Sequence, residues 1–414
     1  MNRNIMCIDL KSFFASCECQ ERGIDGFKTA LVVANKNQGN GAITLAISPY
    51  LKQLGIPSRT RLYEIPSHIK YEIVPPRMSL YIKYSKHVVD IYLNFVSEED
   101  ILVYSIDECF LDVTNYLKLY KKTDYELAQD ILNKIYQDTG LTANCGIGPN
   151  MLLAKVAMDT EAKKYKNGIA KWNYDDIKTK LWEITPLSKM WSIGKNMQRN
   201  LNNMGLYKVG DIARYDVKIL KKKFGILGEE LWNHTNGIDT STIKDYKNIE
   251  HDKSFSHSQV LFKDYNETNI KIIIPEMIDV LCARLRKNHK QTSVIGLGIG
   301  YSKNIGGGFY HSIKVIPTDQ EKDIYNIAMM IFDKYYENLP IRKVTVSCGG
   351  LKNKEGYQLN LFEDSKTIEK NEKINNAIDE IKDKYGKNSL IKASSLYEDS
   401  TAIERNKKIG GHNA

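Results

Sequence analysis

Two stretches decide how this chain reads: Ile5-Met6-Cys7-Ile8-Asp9-Leu10-Lys11-Ser12-Phe13-Phe14-Ala15-Ser16-Cys17-Glu18 and, much further along, Ser105-Ile106-Asp107-Glu108. The first opens with a short apolar run that ends at Asp9, then takes helical spacing at Phe13, Phe14, Cys17 and Ile24. The second sets Asp107 and Glu108 between apolar runs at 101–106 and 109–113. A carboxylate inside such a pattern is costly when buried unpaired. Each site alone has an ordinary reading, Asp9 as a helix N-cap and Asp107-Glu108 as a hairpin tip. If the two strands are neighbours, three carboxylates converge at one sheet edge. Mg²⁺ suits such oxygen-rich sites, taking one or two carboxylates plus substrate phosphates. A pair of ions stabilises both the attacking and leaving oxygens of an in-line phosphoryl transfer.

Outward from these runs, 30–34 and 142–147 read as further strands, and Leu127, Ile131 and Ile135 mark one helix face. The expected result is an antiparallel α+β layer with helices on one face. A helix over 150–163 follows Gly148-Pro149. Residues 182–239 turn helical, punctuated by Gly194, Gly205, Gly210, Gly225 and Gly228. A polar linker at 241–253 leads to a second α/β segment, 254–351, with strands near 294–301 and 344–349. The tail is charged and helical near 368–384, and no internal repeat is visible.

Composition narrows the class. With 414 residues the chain has room for two to four domains. Its 42% hydrophobic and 26% charged residues exclude a disordered or fibrous protein. A net charge of +9 is compatible with a polyanionic partner. No apolar run approaches the roughly 18 residues of a membrane span, and the start is too soon charged for a secretory signal. Seven cysteines without C-x-x-C and eight scattered histidines exclude a zinc ribbon or disulfide framework. A reduced, cytoplasmic protein is expected, whose metal ligands, if any, are carboxylates.

The stretch Asp9 to Glu18 resembles the first motif of the Y-family translesion DNA polymerases, the UmuC/DinB group, and Ser105-Ile106-Asp107-Glu108 resembles their second. The likeness continues through Gly146-Ile147-Gly148-Pro149-Asn150-Met151-Leu152-Leu153-Ala154-Lys155 and nearly the whole chain, with the UmuC-type branch the nearer. It implies a right-hand polymerase: a ferredoxin-like palm (1–28 and 75–172), small fingers (29–74), a helix-hairpin-helix thumb (173–243), an α/β little finger (244–352) and a tail (353–414). It implies that Asp9, Asp107 and Glu108, with the Leu10 carbonyl, hold two Mg²⁺ ions. Phe14 matches the bulky residue under the sugar of the incoming dNTP, and Phe13 lies beside it. Lys52 and Lys163 match triphosphate positions, with Lys164 left open as an alternative to Lys163. Lys52 stands where relatives carry Arg, and an ammonium cannot grip phosphate bidentately.

For primer-template DNA the resemblance implies contacts at Lys155 and at Met190-Trp191-Ser192-Ile193-Gly194-Lys195, where Gly194 and Lys195 open a helix toward backbone phosphate. Ser192 replaces a glycine common in the family. Residues 280–316 hold Arg284, Arg286, Lys287, Lys290, Lys303 and Lys314 and no acidic residue, a stripe suited to tracking phosphates on a sheet. Gln358-Leu359-Asn360-Leu361-Phe362 resembles the peptide that docks bacterial polymerases on the sliding clamp. Expected partners are therefore DNA, dNTP, the clamp and accessory SOS proteins, with no membrane. Error-prone translesion synthesis in DNA repair follows from the resemblance. A nucleotide cyclase would share the carboxylates but use ribonucleotides, against Phe14 and the basic stripe. A catalytically impaired, clamp-tethered regulator would be expected to lose an acidic ligand, and none is missing.

Overall fold

The computed structural model describes residues 3–248, 254–355 and 365–413. The chain divides near residue 249 into two compact units.

In the first unit, β1 (Ile5–Leu10) is buried along nearly its whole length, as its unbroken apolar run requires. α1 (Phe13–Glu21) follows directly. The chain then leaves to build a small sheet from β2 (Leu31–Val33), β3 (Ala46–Ile47) and β4 (Glu72–Val74), ordered β3-β2-β4, with the short helix α2 (Pro49–Gln53). Val32, Ile47, Leu51, Leu62 and Ile65 form its own core. The chain returns through α3 (Met78–Tyr92), the hairpin β5 (Ile101–Val103) and β6 (Glu108–Asp112), α4 (Tyr116–Tyr120), α5 (Asp124–Thr139) and β7 (Ala143–Gly148). After α6 (Met151–Thr160), β8 (Ile169–Lys171) completes a five-stranded sheet ordered β5-β6-β1-β7-β8. β1 is antiparallel to both β6 and β7, and β8 runs parallel to β7. Strands β7-β1-β6-β5 have the order of a ferredoxin-like layer; β8 is an addition that the sequence reading missed.

Helices cover both faces of this sheet, not one as expected. Met6, Ile8 and Leu10 meet Leu127, Ile131 and Ile135 on the α1, α3 and α5 side. Ile5, Cys7 and Phe110 meet Met151, Ala154 and Met158 of α6 on the other. The reason lies in β7: a Cβ on Gly146 would stand 2.0 Å from the Ala154 carbonyl oxygen, and one on Gly148 2.5 Å from the Ala154 nitrogen. Only glycine there lets α6 lie so close. The Asn150 side chain caps α6 by accepting from Leu153 N–H at 2.8 Å.

The rest of the unit is helical: α7 (Lys195–Asn202), α8 (Val209–Ala213), α9 (Val217–Phe224) and α10 (Ile226–Thr235) gather around Leu187, Ile193, Leu201, Val209 and Leu220. α11 (Ile243–Asn248) occupies much of the expected linker. Gly194 caps α7.

The second unit runs β9 (Ser254–Tyr265), α12 (Glu267–Lys287), β10 (Lys290–Tyr301), β11 (Gly308–Thr318), α13 (Glu321–Tyr335) and β12 (Ile341–Gly349). Its sheet is antiparallel throughout, ordered β11-β10-β12-β9. Ile295, Leu297, Ile299, Val344 and Val346 face the helices. The alternate positions, Gly296, Gly298, Thr345 and Ser347, line the other face. The described tail residues 365–411 belong to this unit. Asp379 of α14 (Ser365–Tyr385) pairs with Arg286 at 2.7 Å, Lys382 with Asp279 at 2.9 Å, and Arg405 with the buried Glu276 at 3.4 Å.

Ser192, just ahead of α7, has φ 74°, in the left-handed region where a Cβ is strained. Ser192→Gly should therefore stabilise the protein by up to about 1 kcal/mol. Chemical denaturation checks this: a raised midpoint with an unchanged slope is expected.

Candidate active site

Asp9 on β1 stands opposite Glu108 on β6. The Leu10 N–H donates to the Asp107 carbonyl at 2.9 Å. Adjacent strands thus deliver all three carboxylates to one end of the sheet. Their side chains are not drawn into one cluster: among the described residues no three His, Cys, Asp or Glu are grouped to hold an ion. Like charges repel, and each carboxylate has its own nearest hydroxyl or ammonium. The buried Glu108 accepts at Oε1 from the Lys155 ammonium at 2.8 Å and from the Cys7 thiol at 3.1 Å. Asp107 accepts from the Ser105 hydroxyl at 2.8 Å. Asp9 has the Lys163 ammonium 3.7 Å away.

Burial pushes the Asp9 carboxyl up to about 6; Lys163 pulls it down, and Asp107 and Glu108 push it further up. The donor set is hard oxygen of one sign on a partly desolvated edge, which fits a cation such as Mg²⁺. Lys52, exposed on α2, feels Asp9, Lys163 and Asp107; desolvation lowers its pKa while the carboxylates raise it. Desolvation also works against Lys163, but Asp9 and Asp159 outweigh it and its pKa is raised. Lys163, not Lys164, is the lysine beside Asp9; Lys164 lines a separate hollow with Tyr125, Tyr165 and Lys166. An acidic edge ringed by ammonium groups suits polyphosphate chemistry.

Phe14 is half-buried at the start of α1, its ring stacked on Tyr81 at 4.4 Å and 15°. Tyr81 donates to Glu18 Oε1 at 2.8 Å. Glu18 is wholly buried and forked by Arg77, at 3.0 and 2.7 Å, with Arg22 also bound. Desolvation alone would raise the Glu18 pKa; the bonds from Arg77, Tyr81 and Arg22 hold it below the usual range. The wall behind Phe14 is thus fixed by a fully compensated charge. Phe13, expected at the nucleotide, packs in the sheet core instead.

Lys155 is buried between Glu108 and Asp159, and its ammonium contacts those two carboxylates. Arg284, Arg286 and Lys287 lie on α12, not on the sheet. Arg286 is neutralised by Asp379, Lys287 pairs with Asp383 at 3.2 Å, and the Arg284 guanidinium sits 4.1 Å over the Phe255 ring. Lys303 is exposed in the β10–β11 turn. Gly194 and Lys195 are exposed at the open start of α7, where nothing lies within 4 Å of a Gly194 Cβ. Gln358, Leu359, Leu361 and Phe362 lie outside the described residues. Sequence reasoning missed Tyr81, Arg77 and Asp159. Only Asp159 left a signal, as the acid midway between Lys155 and Lys163 at four-residue steps.

Residues 8–159 match the impB/mucB/samB family, residues 174–206 its HHH motif and residues 252–361 its C-terminal domain. The chain belongs to this family, the Y-family DNA polymerases. The putative UV-damage repair protein UvrX of Bacillus subtilis (strain 168) is 39% identical across 100% of this chain and 98% of its own length. DNA polymerase IV 2 of the same organism is 33% identical over 99% and 98%. DNA polymerase IV of Clostridium acetobutylicum is 32% identical over 95% and 98%. These matches carry the family and leave the branch within it a resemblance.

The raised Asp9 pKa has a cost in stability. Its folded value, about 6, exceeds the roughly 3.9 of an unfolded chain. The folded state therefore binds this proton more tightly, and its contribution is present below pH 4 and lost as pH rises through 6. Asp9→Asn should raise the melting temperature at pH 7.5 in metal-free buffer, by up to about 2 kcal/mol of stability, with the gain vanishing near pH 4. Calorimetry at both pH values measures it.

Proposed function

We propose that this chain, a Y-family DNA-directed DNA polymerase, extends a primer by attack of the primer 3′-hydroxyl on the α-phosphate of a dNTP, breaking the α–β anhydride bond and releasing pyrophosphate, in translesion synthesis and DNA repair. The observation that carries the mechanism is the β1–β6 register, which brings Asp9, Asp107 and Glu108 to one sheet end with Lys163 alongside. The reading takes the five-stranded layer as palm, the small β3-β2-β4 sheet as fingers, 173–243 as thumb and 244–352 as little finger.

Asp9, Asp107 and Glu108, with the Leu10 carbonyl, would hold two Mg²⁺ ions, which when bound stabilise the charge on the attacking and leaving oxygens. The chain's own part is positioning and fixed charge. Lys163 and Lys52 meet the triphosphate as point charges. The Phe14 ring, braced by Tyr81, leaves no room for a 2′-hydroxyl. The uncapped amides of α7 at Gly194 and Lys195 receive a backbone phosphate. The glycine- and hydroxyl-lined sheet face of the second unit is the flatter surface for duplex DNA. Gln358, Leu359, Leu361 and Phe362 dock the sliding clamp, and a cytoplasmic, SOS-linked role completes the reading.

Primer extension on undamaged template with Mg²⁺ tests it. Asp107→Ala should lower the rate by roughly a hundredfold or more and leave primer-template affinity nearly intact. Phe14→Ala should raise ribonucleotide incorporation by roughly 10- to 100-fold while changing dNTP use much less. An active Asp107→Ala enzyme would remove the carboxylate assignment, and unchanged sugar discrimination would return Phe14 to the core.

A further inference from the structure

Asp159, at the end of α6, touches two lysines of the acidic edge, Lys155 and Lys163. Its Oδ2 is 3.0 Å from the Lys155 ammonium and its Oδ1 2.7 Å from that of Lys163. The other contact of Lys155 is Glu108 at 2.8 Å, and that of Lys163 is Asp9 at 3.7 Å. Five charges therefore alternate in an unbroken line: Glu108, Lys155, Asp159, Lys163, Asp9. Residues 155, 159 and 163 follow at helical four-residue steps, so one carboxylate reaches an ammonium on either side.

The two lysines are held differently. Lys155 is buried, and a lone ammonium there would be heavily desolvated. Lys163 is 40% exposed on its side chain, and its approach to Asp9 is too long for a hydrogen bond. A lysine stem is flexible and loses much rotamer freedom when fixed. The short contact to Asp159 is what keeps the Lys163 ammonium beside Asp9.

We propose that Asp159 is a positioning residue that holds Lys163 ready for the nucleotide triphosphate and shares Lys155 with Glu108. This rests on the reading of the edge as a polymerase site. It carries a coupling: when Lys163 turns to a triphosphate, Asp159 loses one partner and draws Lys155 more strongly. Glu108 is then less occupied by that ammonium. Nucleotide binding at one end of the line thereby loosens the carboxylate at the other.

The test is steady-state extension by Asp159→Asn, Asp159→Glu, Lys163→Ala and the Asp159→Asn/Lys163→Ala double variant. Asp159→Asn should raise the dNTP KM roughly tenfold, leave the primer-template Kd unchanged and raise the Mg²⁺ needed for half-maximal rate. Asp159→Glu should recover most of the KM. The double variant should have the KM of Lys163→Ala alone, because one interaction is being removed twice. A KM for Asp159→Asn within twofold of wild type, or additive effects in the double variant, would overturn the proposal. Melting temperatures taken alongside separate a lost contact from a lost fold, and Asp159→Ser repeats the test if Asp159→Asn melts early. An inert Asp107→Ala with a normal Asp159→Asn removes this inference alone; an active Asp107→Ala removes the polymerase reading of the edge.

Discussion

β1 has a strand hydrogen-bonded on each side, and the acidic edge depends on that placement. Asp9 faces Glu108 on β6 and Asn144 on β7. A shift of one residue in either pairing would turn Asp9 to the α1 side and bring Ile8 or Leu10 to its place. The alternation is protected by two unlike cores, Met6, Ile8 and Leu10 on one face and Ile5 and Cys7 on the other. The α6 side adds a second condition. Because Gly146 and Gly148 lack side chains, α6 comes down onto β7, and only from that height does Lys155 reach Glu108. Geometry at the edge thus traces back to a central strand and two glycines that themselves carry no chemistry.

Charge is distributed unevenly around this frame. Glu18 is buried with every lone pair answered, and it fixes Tyr81 and through it the Phe14 ring. Asp9 is the opposite case, a half-buried carboxylate whose ion-pair partner Lys163 stays 3.7 Å away, held at a cost to the fold. The charge behind Phe14 is fully compensated, while the acidic edge keeps a carboxylate without a hydrogen-bonded cation.

Much of this was legible in the sequence. The β1 and β6 strands were readable because an apolar run that stops on an acid has few explanations, and α5 because Leu127, Ile131 and Ile135 keep one face. What escaped depends on partners far along the chain. The family resemblance assigns Lys155 to DNA, while spacing alone does not say which carboxylate lies across the gap from it. Arg286 looked free because Asp379 belongs to a helix nearly a hundred residues later, beyond the reach of local reasoning. α11 was hidden by its composition, since only Ile243 of its six residues is buried. Gly146 and Gly148 were quoted as part of a motif, but their meaning, a helix pressed against a strand, needs the third dimension.

The central position of β1 also bears on how the molecule comes into being. β1 is made first, yet its partners are synthesised roughly a hundred residues later for β6 and more for β7, so its pairing is strongly non-local. At roughly 5–20 residues per second, an emerging chain carries an unpaired apolar strand for several seconds before β6 exists. The small β3-β2-β4 sheet has its own core and close neighbours in sequence, so it can close during that wait. The inserted sheet thus draws on partners close in sequence, whereas the acidic edge with its lysine needs β1, β6, β7 and α6 together. A chain that ends before residue 148 has all three carboxylates but lacks α6, and with it the Lys155 ammonium that holds Glu108.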